Sequence, residues 1–169
     1  LHFPNVDLVG VILADLGLMV PDYRAGERTF QILHQVSGRS GRAIPDSRVI
    51  IQTYKPDNYA IGAAANQDYL SFYNDEINRR QDQGNPPFNR LIRLLYSHTD
   101  KSKAESEAIR FKNMLLEQRN SRGLTDIELL GPTPVFPEKI RGRYRWQIIV
   151  RSVTPKILLS TVKFPKGWI

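Results

Sequence analysis

The sequence predicts an α/β layer followed by a separate, basic α+β unit, and three observations predict it. An apolar run, a helix-like stretch and a β-branched run succeed one another over the first 54 residues, in the strand, helix, strand order of an α/β layer. The segment Gly84-Asn85-Pro86-Pro87 then interrupts every helical pattern, because each proline lacks an amide donor and restricts the residue before it. Beyond that break the chain alternates strand and helix patterns again, and its charge changes sign.

The first strand is predicted over Val6 to Leu13, rich in Val, Leu and Ile, as for a strand covered on both faces in a parallel sheet. The apolar stretch Leu8 to Val20 is broken by Asp15 and two glycines, so it is too short and too polar to span a bilayer. Glu27 to Val36 sets Phe30, Leu33 and Val36 or Ser37 on one helical face, and the helix is expected to stop at Gly38. Arg48 to Tyr54 supplies the second strand. This α/β part is placed at residues 1–56, with a helical connector over 57–85 that carries Ile61, Ala64 and Ala65, then Tyr69, Phe72, Tyr73 and Ile77, with Asp68 as the N-cap between them. Asp75-Glu76 reads as a solvated helix face.

From residue 86 to 169 the expected order is a strand at Arg90 to Ser97, then a helix at Lys101 to Asn120 burying Ala104, Ala108, Phe111 and Leu115. A strand at Ile127 to Leu130, another at Arg143 to Arg151, and a short helix from Thr154-Pro155 to Leu159 follow, with Trp168-Ile169 opening something apolar. That β-α-β, β-α-(β) order predicts a ferredoxin-like α+β sandwich.

Composition narrows the chemistry. No cysteine occurs, which excludes a disulfide framework and any thiolate metal site within these residues, and the three histidines are scattered without ligand spacing; His34 reads as packing or surface. Residues 1–85 hold 8 Lys and Arg against 10 Asp and Glu, a net of −2, whereas residues 86–169 hold 16 against 7, a net of +9. So lopsided a charge points to a polyanionic partner, since cations that neutralise phosphates release condensed counterions; simple solubility is the plainer alternative.

The sharpest motif is Gln35-Val36-Ser37-Gly38-Arg39-Ser40-Gly41-Arg42, directly after the predicted helix. Two arginines on a turn made compact by Gly38 and Gly41 can present permanent, planar positive charge to a triphosphate, with Gln35 as a polar contact. A guanidinium so placed stabilises charge on a transferred phosphoryl group; an incidental solvated turn is the structural alternative. Asp15 sits at the end of a strand, where it either meets a nucleotide or caps the strand. In Arg141-Gly142-Arg143-Tyr144-Arg145-Trp146 the strand period puts Tyr144, Trp146, Ile148 and Val150 on one face and Arg143, Arg145, Gln147 and Arg151 on the other. Trp146 is therefore expected in the core, while Lys139 and Arg141 in the preceding loop, with Arg143, Arg145 and Arg151, make the candidate DNA contacts.

The spacing Q-x-x-G-R-x-G-R resembles the arginine-finger motif at the end of the second motor lobe of superfamily 2 helicases. Flanking residues narrow the resemblance: His2-Phe3-Pro4-Asn5-Val6, Leu8-Val9-Gly10-Val11, Ala14-Asp15, Pro21-Asp22-Tyr23-Arg24-Ala25, Glu27-Arg28, Gln52-Thr53-Tyr54, Pro86-Pro87-Phe88, Leu130-Gly131-Pro132 and Arg141 to Gln147 are similar to the primosomal protein N′ family. That resemblance covers essentially the whole sequence. It implies part of an ATP-driven 3′-to-5′ DNA helicase that recognises stalled replication forks in the bacterial cytoplasm and promotes primosome assembly. The chain would hold the end of a RecA-like second lobe and a DNA-binding domain. It implies Arg42 as the finger with Arg39 beside it, Gln35, Gly38, Gly41 and Asp15 on the ATP side, and DNA, single-stranded DNA-binding protein and other primosome proteins as partners. ATP and magnesium belong to the intact protein, since the sequence has no G-x-x-x-x-G-K-[ST] loop, and the family's structural zinc lies on cysteines upstream. A non-enzymatic docking module and an RNA helicase of the same superfamily are the rival readings.

Overall fold

The computed structural model describes residues 8–38 and 48–169. The chain folds as two compact units, residues 1–83 and 84–169.

In the first unit, β1 (Leu8–Val11) pairs in parallel with β2 (Arg48–Ile51), in the register Leu8 to Arg48 through Val11 to Ile51. Between them run a 3-10 segment, Ala14–Met19, and helix α1 (Ala25–Ser37). Among the described residues, only one face of the strand pair is covered. Val9, Val11, Val49 and Ile51 are half-buried while Leu8, Ile12 and Ile50 are exposed, so the expectation of a strand covered on both faces is corrected to one that packs on a single side. β2 is shorter than its β-branched run because Gln52 makes the last ladder-like bond, its amide donating to the Val11 carbonyl, after which the chain is diverted to Asp15.

Helices α2 (Tyr59–Ala65) and α3 (Tyr69–Asp82) pack into the same core, in which Phe30 and Leu33 from α1 meet Ala60, Ile61, Ala64 and Phe72. Asn58 caps α2 and Asp68 caps α3 through side-chain oxygens that accept otherwise unpaired backbone amides. Phe30 stacks on Phe72 at 4.0 Å between ring centroids and on His34 at 5.2 Å. The reading of Glu76 as a solvated residue is wrong. It is buried, accepts from Tyr59 Oη at 2.6 Å, and pairs with Arg80 at 2.7 Å, while Arg80 also reaches Glu27 on α1 at 2.8 Å. A helix-face pattern could not reveal this, because Tyr59 and Glu27 come from two other helices. The small first turn of α1 is part of the arrangement: a Cβ on Gly26 would lie 2.0 Å from Tyr59 Oη.

The second unit is an antiparallel sheet in the order β3-β5-β4, formed by β3 (Arg90–His98), β4 (Glu128–Ile140) and β5 (Arg143–Ser152). Helix α4 (Lys101–Ser121), capped by Asp100, covers one face with Ala104, Ala108, Phe111 and Leu115, all at 0% exposure, as their spacing predicts. Against them lie Leu94, Leu129, Trp146, Ile148 and Val150, with Leu158 from the short α5 (Lys156–Leu159) and Trp168. Trp168 bridges to Tyr96 in antiparallel fashion, and Leu95 and Ile169 exchange backbone hydrogen bonds along the outer edge of β3.

One strand departs widely from its expected span. β4 continues from Leu130 through three prolines to Ile140, where the sequence suggests a loop. It does so because β4 is an edge strand, where prolines need not donate to a neighbour, and because its register slips between Leu130 and Thr133 and again between Pro134 and Lys139.

Candidate functional site

The motif residues fall on two unlike backgrounds. In the first unit, Gln35 lies exposed in the last turn of α1 and Gly38 is its C-cap, the Gly38 amide donating to the His34 carbonyl. Arg39, Gly41 and Arg42 lie outside the described residues. Asp15 is buried and both its oxygens are engaged: Thr53 Oγ1 donates at 2.8 Å and the Tyr54 amide at 2.9 Å. The Tyr54 amide holds the Asp15 carboxyl below its ordinary value; burial opposes this and Thr53 adds to it. Asp15 thus clasps the segment leaving β1 to the segment leaving β2.

The 3-10 segment carrying Asp15 approaches α1 at Thr29, where a Cβ on Gly17 would lie 2.4 Å from Thr29 Oγ1. Gly38 is nine residues further along α1, roughly 13 Å at the helical rise, and it leads into the amino end of β2 whereas Asp15 marks the carboxyl end. The contacts of Asp15 to Thr53 and Tyr54 fit the strand-capping alternative that the sequence offered beside nucleotide contact.

In the second unit the basic candidates gather on the β4–β5 hairpin. Ile140 pairs with Arg143, so Arg141-Gly142 is a two-residue turn, and both residues have positive φ, 48° and 77°. That is the conformation of a type I′ hairpin turn, whose twist matches the flanking strands. Lys139 is therefore not in a loop but within β4 opposite Tyr144, its Nζ 4.7 Å from that ring's centroid, while Arg141 is exposed in the turn before β5, where the sequence places it. The usual Asn-Gly or Asp-Gly cue is missing, which explains why the turn escapes a sequence reading.

The remaining arginines are anchored. Arg143 donates to the Ser97 carbonyl at 2.7 Å and to Ser97 Oγ at 3.2 Å. Arg145 donates to the Pro137 carbonyl at 2.8 Å. Arg151 pairs with Glu128 at 2.6 Å, so its charge is matched within the sheet. Trp146, Ile148 and Val150 point into the core, as the strand period predicts. Among the described residues, no cluster of His, Asp and Glu has the makings of a metal site, and no helix is long and apolar enough to cross a membrane.

Residues 81–162 match the primosomal protein N C-terminal domain family. The chain is 40% identical over 151 residues to the replication restart protein PriA of Bacillus subtilis (strain 168), a match spanning 89% of the chain and 18% of that protein. The chain belongs to the primosomal protein N family. Family relatives from Borreliella burgdorferi and Rickettsia felis, both also replication restart protein PriA, are 35% and 38% identical over 98% and 97% of the chain, and 24% and 25% of their own lengths. The chain thus spans between about a fifth and a quarter of the curated family members it matches.

Proposed function

We propose that this chain supplies two parts of an ATP-dependent 3′-to-5′ DNA helicase acting in replication restart and primosome assembly. The first unit is the end of a RecA-like second motor lobe, and its Arg42, with Arg39, faces the triphosphate of a nucleotide whose other contacts lie elsewhere in the intact protein. The second unit is a ferredoxin-like domain that binds DNA through Lys139 and Arg141 at the hairpin, with Arg143, Arg145 and Arg151 shaping and charging the sheet behind them.

The observation that supports this reading most strongly is the Gln35 to Arg42 spacing at the end of a helix that crosses between two parallel strands. Turns of this kind deliver arginine to a phosphate, where it offsets charge developing on the transferred group. By itself the chain makes one wall of a nucleotide site, since neither a phosphate loop nor an acidic magnesium site is present in the sequence, and magnesium and the family's structural zinc belong to residues elsewhere. In this reading Gln35, Gly38 and Gly41 stand on the ATP side with the arginines, and Asp15, bonded to Thr53 and Tyr54, holds the strand ends together.

Changing Arg42 to Ala in the intact protein tests the motor assignment. DNA-stimulated ATP hydrolysis should fall by roughly 10³-fold or more while DNA affinity is kept; near-normal turnover would remove Arg42 from the mechanism. Unwinding assays on DNA and RNA duplexes decide the substrate, and the same reading places the protein in the bacterial cytoplasm, at forks, with single-stranded DNA-binding protein and other primosome proteins.

A further inference from the structure

The register of the β4–β5 hairpin contains an oversized bulge. Pro134 pairs with Trp146 and Lys139 with Tyr144, so residues 135–138 of β4 stand opposite Arg145 alone. A bulge of that size would ordinarily be loose, yet this one is pinned at each residue but one. Val135 is buried, at 7% exposure. The Pro137 carbonyl accepts from Arg145 Nη2 at 2.8 Å. Glu138 pairs with Lys101 Nζ at 2.8 Å, at the first residue of α4. The residue left over is Phe136, whose exposure is 75%.

An aromatic ring turned to water in this way loses the benefit of burial, and the three anchors around it hold it there instead of letting the bulge fold it inward. Its neighbours determine what it fits. Lys139 and the turn residue Arg141 follow within the same hairpin, Arg145 lies across from it, and the only acidic side chain in the bulge, Glu138, is already matched by Lys101. A ring fixed on a rigid support with cations on its flank is suited to stacking on an unpaired base while those cations meet the adjoining phosphates; a buried protein pocket would leave the cations without counter-charges. In duplex DNA the base faces are already stacked on one another and offer no such surface.

We infer that Phe136 is a stacking platform for an unpaired base, which lets the hairpin distinguish single-stranded or frayed DNA from intact duplex. This inference rests on the reading of the second unit as DNA-binding, and the test separates the two. The full chain is titrated, as wild type and as Phe136→Ala, against an oligothymidine strand and against a blunt duplex, and against a strand carrying 2-aminopurine, whose fluorescence reports stacking. Because Phe136 is exposed, the variant should keep its thermal transition. The expected result is roughly tenfold weaker binding of the single strand by Phe136→Ala, unchanged duplex binding, a lost 2-aminopurine response, and recovery of the single-strand affinity and the 2-aminopurine response in Phe136→Trp. Equal affinities of wild type and variant for the single strand would overturn the inference while leaving DNA binding intact, and so would an equal loss on both DNAs. Failure of the wild-type chain to bind either DNA would overturn both readings.

Discussion

The two units solve the problem of charge in opposite ways. The first, with a net of −2, turns ionised groups inward: Glu76 is buried against the half-buried Arg80 and Tyr59, Arg80 also holds the half-buried Glu27, and Asp15 is buried between two strand exits. The second, with a net of +9, keeps its interior apolar around Phe111, Leu115, Ile148 and Val150 and leaves the cations on the outside. Internal polar contacts fix the geometry of a small layer at the cost of dependence on each partner, whereas an apolar interior frees the surface to carry a strong uncompensated charge.

Three measurements sharpen or break that contrast. The largest effect is expected from Phe111→Ala, which empties the centre of the second unit where Phe111 meets Trp168 at 4.5 Å and Phe164 at 5.6 Å. Amide exchange should show α4 and β5 losing about 4 kcal/mol of protection; a loss under about 1 kcal/mol would mean that the apolar centre does not govern this unit.

A smaller effect follows from Glu76→Gln, which keeps the shape but removes one of the two carboxylates matching the Arg80 guanidinium. Protection of α1 and α3 should drop by about 2–3 kcal/mol, at or below the lower end for a broken buried pair because Glu27 remains. Unchanged exchange in α1 would show that the inward charges of the first unit are idle.

The smallest effect is a pH dependence. Burial raises the Tyr59 phenol well above its ordinary value, reinforced by its bond to Glu76. A group whose folded value is raised gives its full stabilisation below the unfolded value near 10 and loses it as the pH climbs beyond that. Protection of α2 and α3 should therefore weaken above about pH 10 in the wild type, and that component should vanish in Tyr59→Phe. A Tyr59→Phe profile identical to the wild type would contradict it.

The contrast also governs how much was legible in the sequence. Apolar spacing revealed α4 and its four buried residues, the inward side of β5, and the core position of Trp146, because a single-element period reports which face is buried. The caps at Asp68 and Asp100 follow from local chemistry, although only Asp68 stands out in advance. What failed to show was everything decided by partners distant in sequence. Glu76 looks solvated until Tyr59 and Arg80 are brought to it, β4 looks like a loop until the edge position excuses its prolines, and Arg143, Arg145 and Arg151 look like free cations until Ser97, Pro137 and Glu128 accept from them. Phe136 gave no cue at all, since its exposure arises from a register slip between two strands.

The claim on which the account turns is that the second unit's charge is there for phosphate, met first at the hairpin. The most direct measurement is the salt dependence of DNA affinity for the full chain, as wild type and with Lys139 and Arg141 both changed to Ala. Log affinity should fall steeply with log salt in the wild type, with a slope flatter by about 1–2 in the double variant, since each phosphate left unneutralised lowers the slope by about one. Salt-independent binding, or an unchanged slope in the double variant, would contradict it.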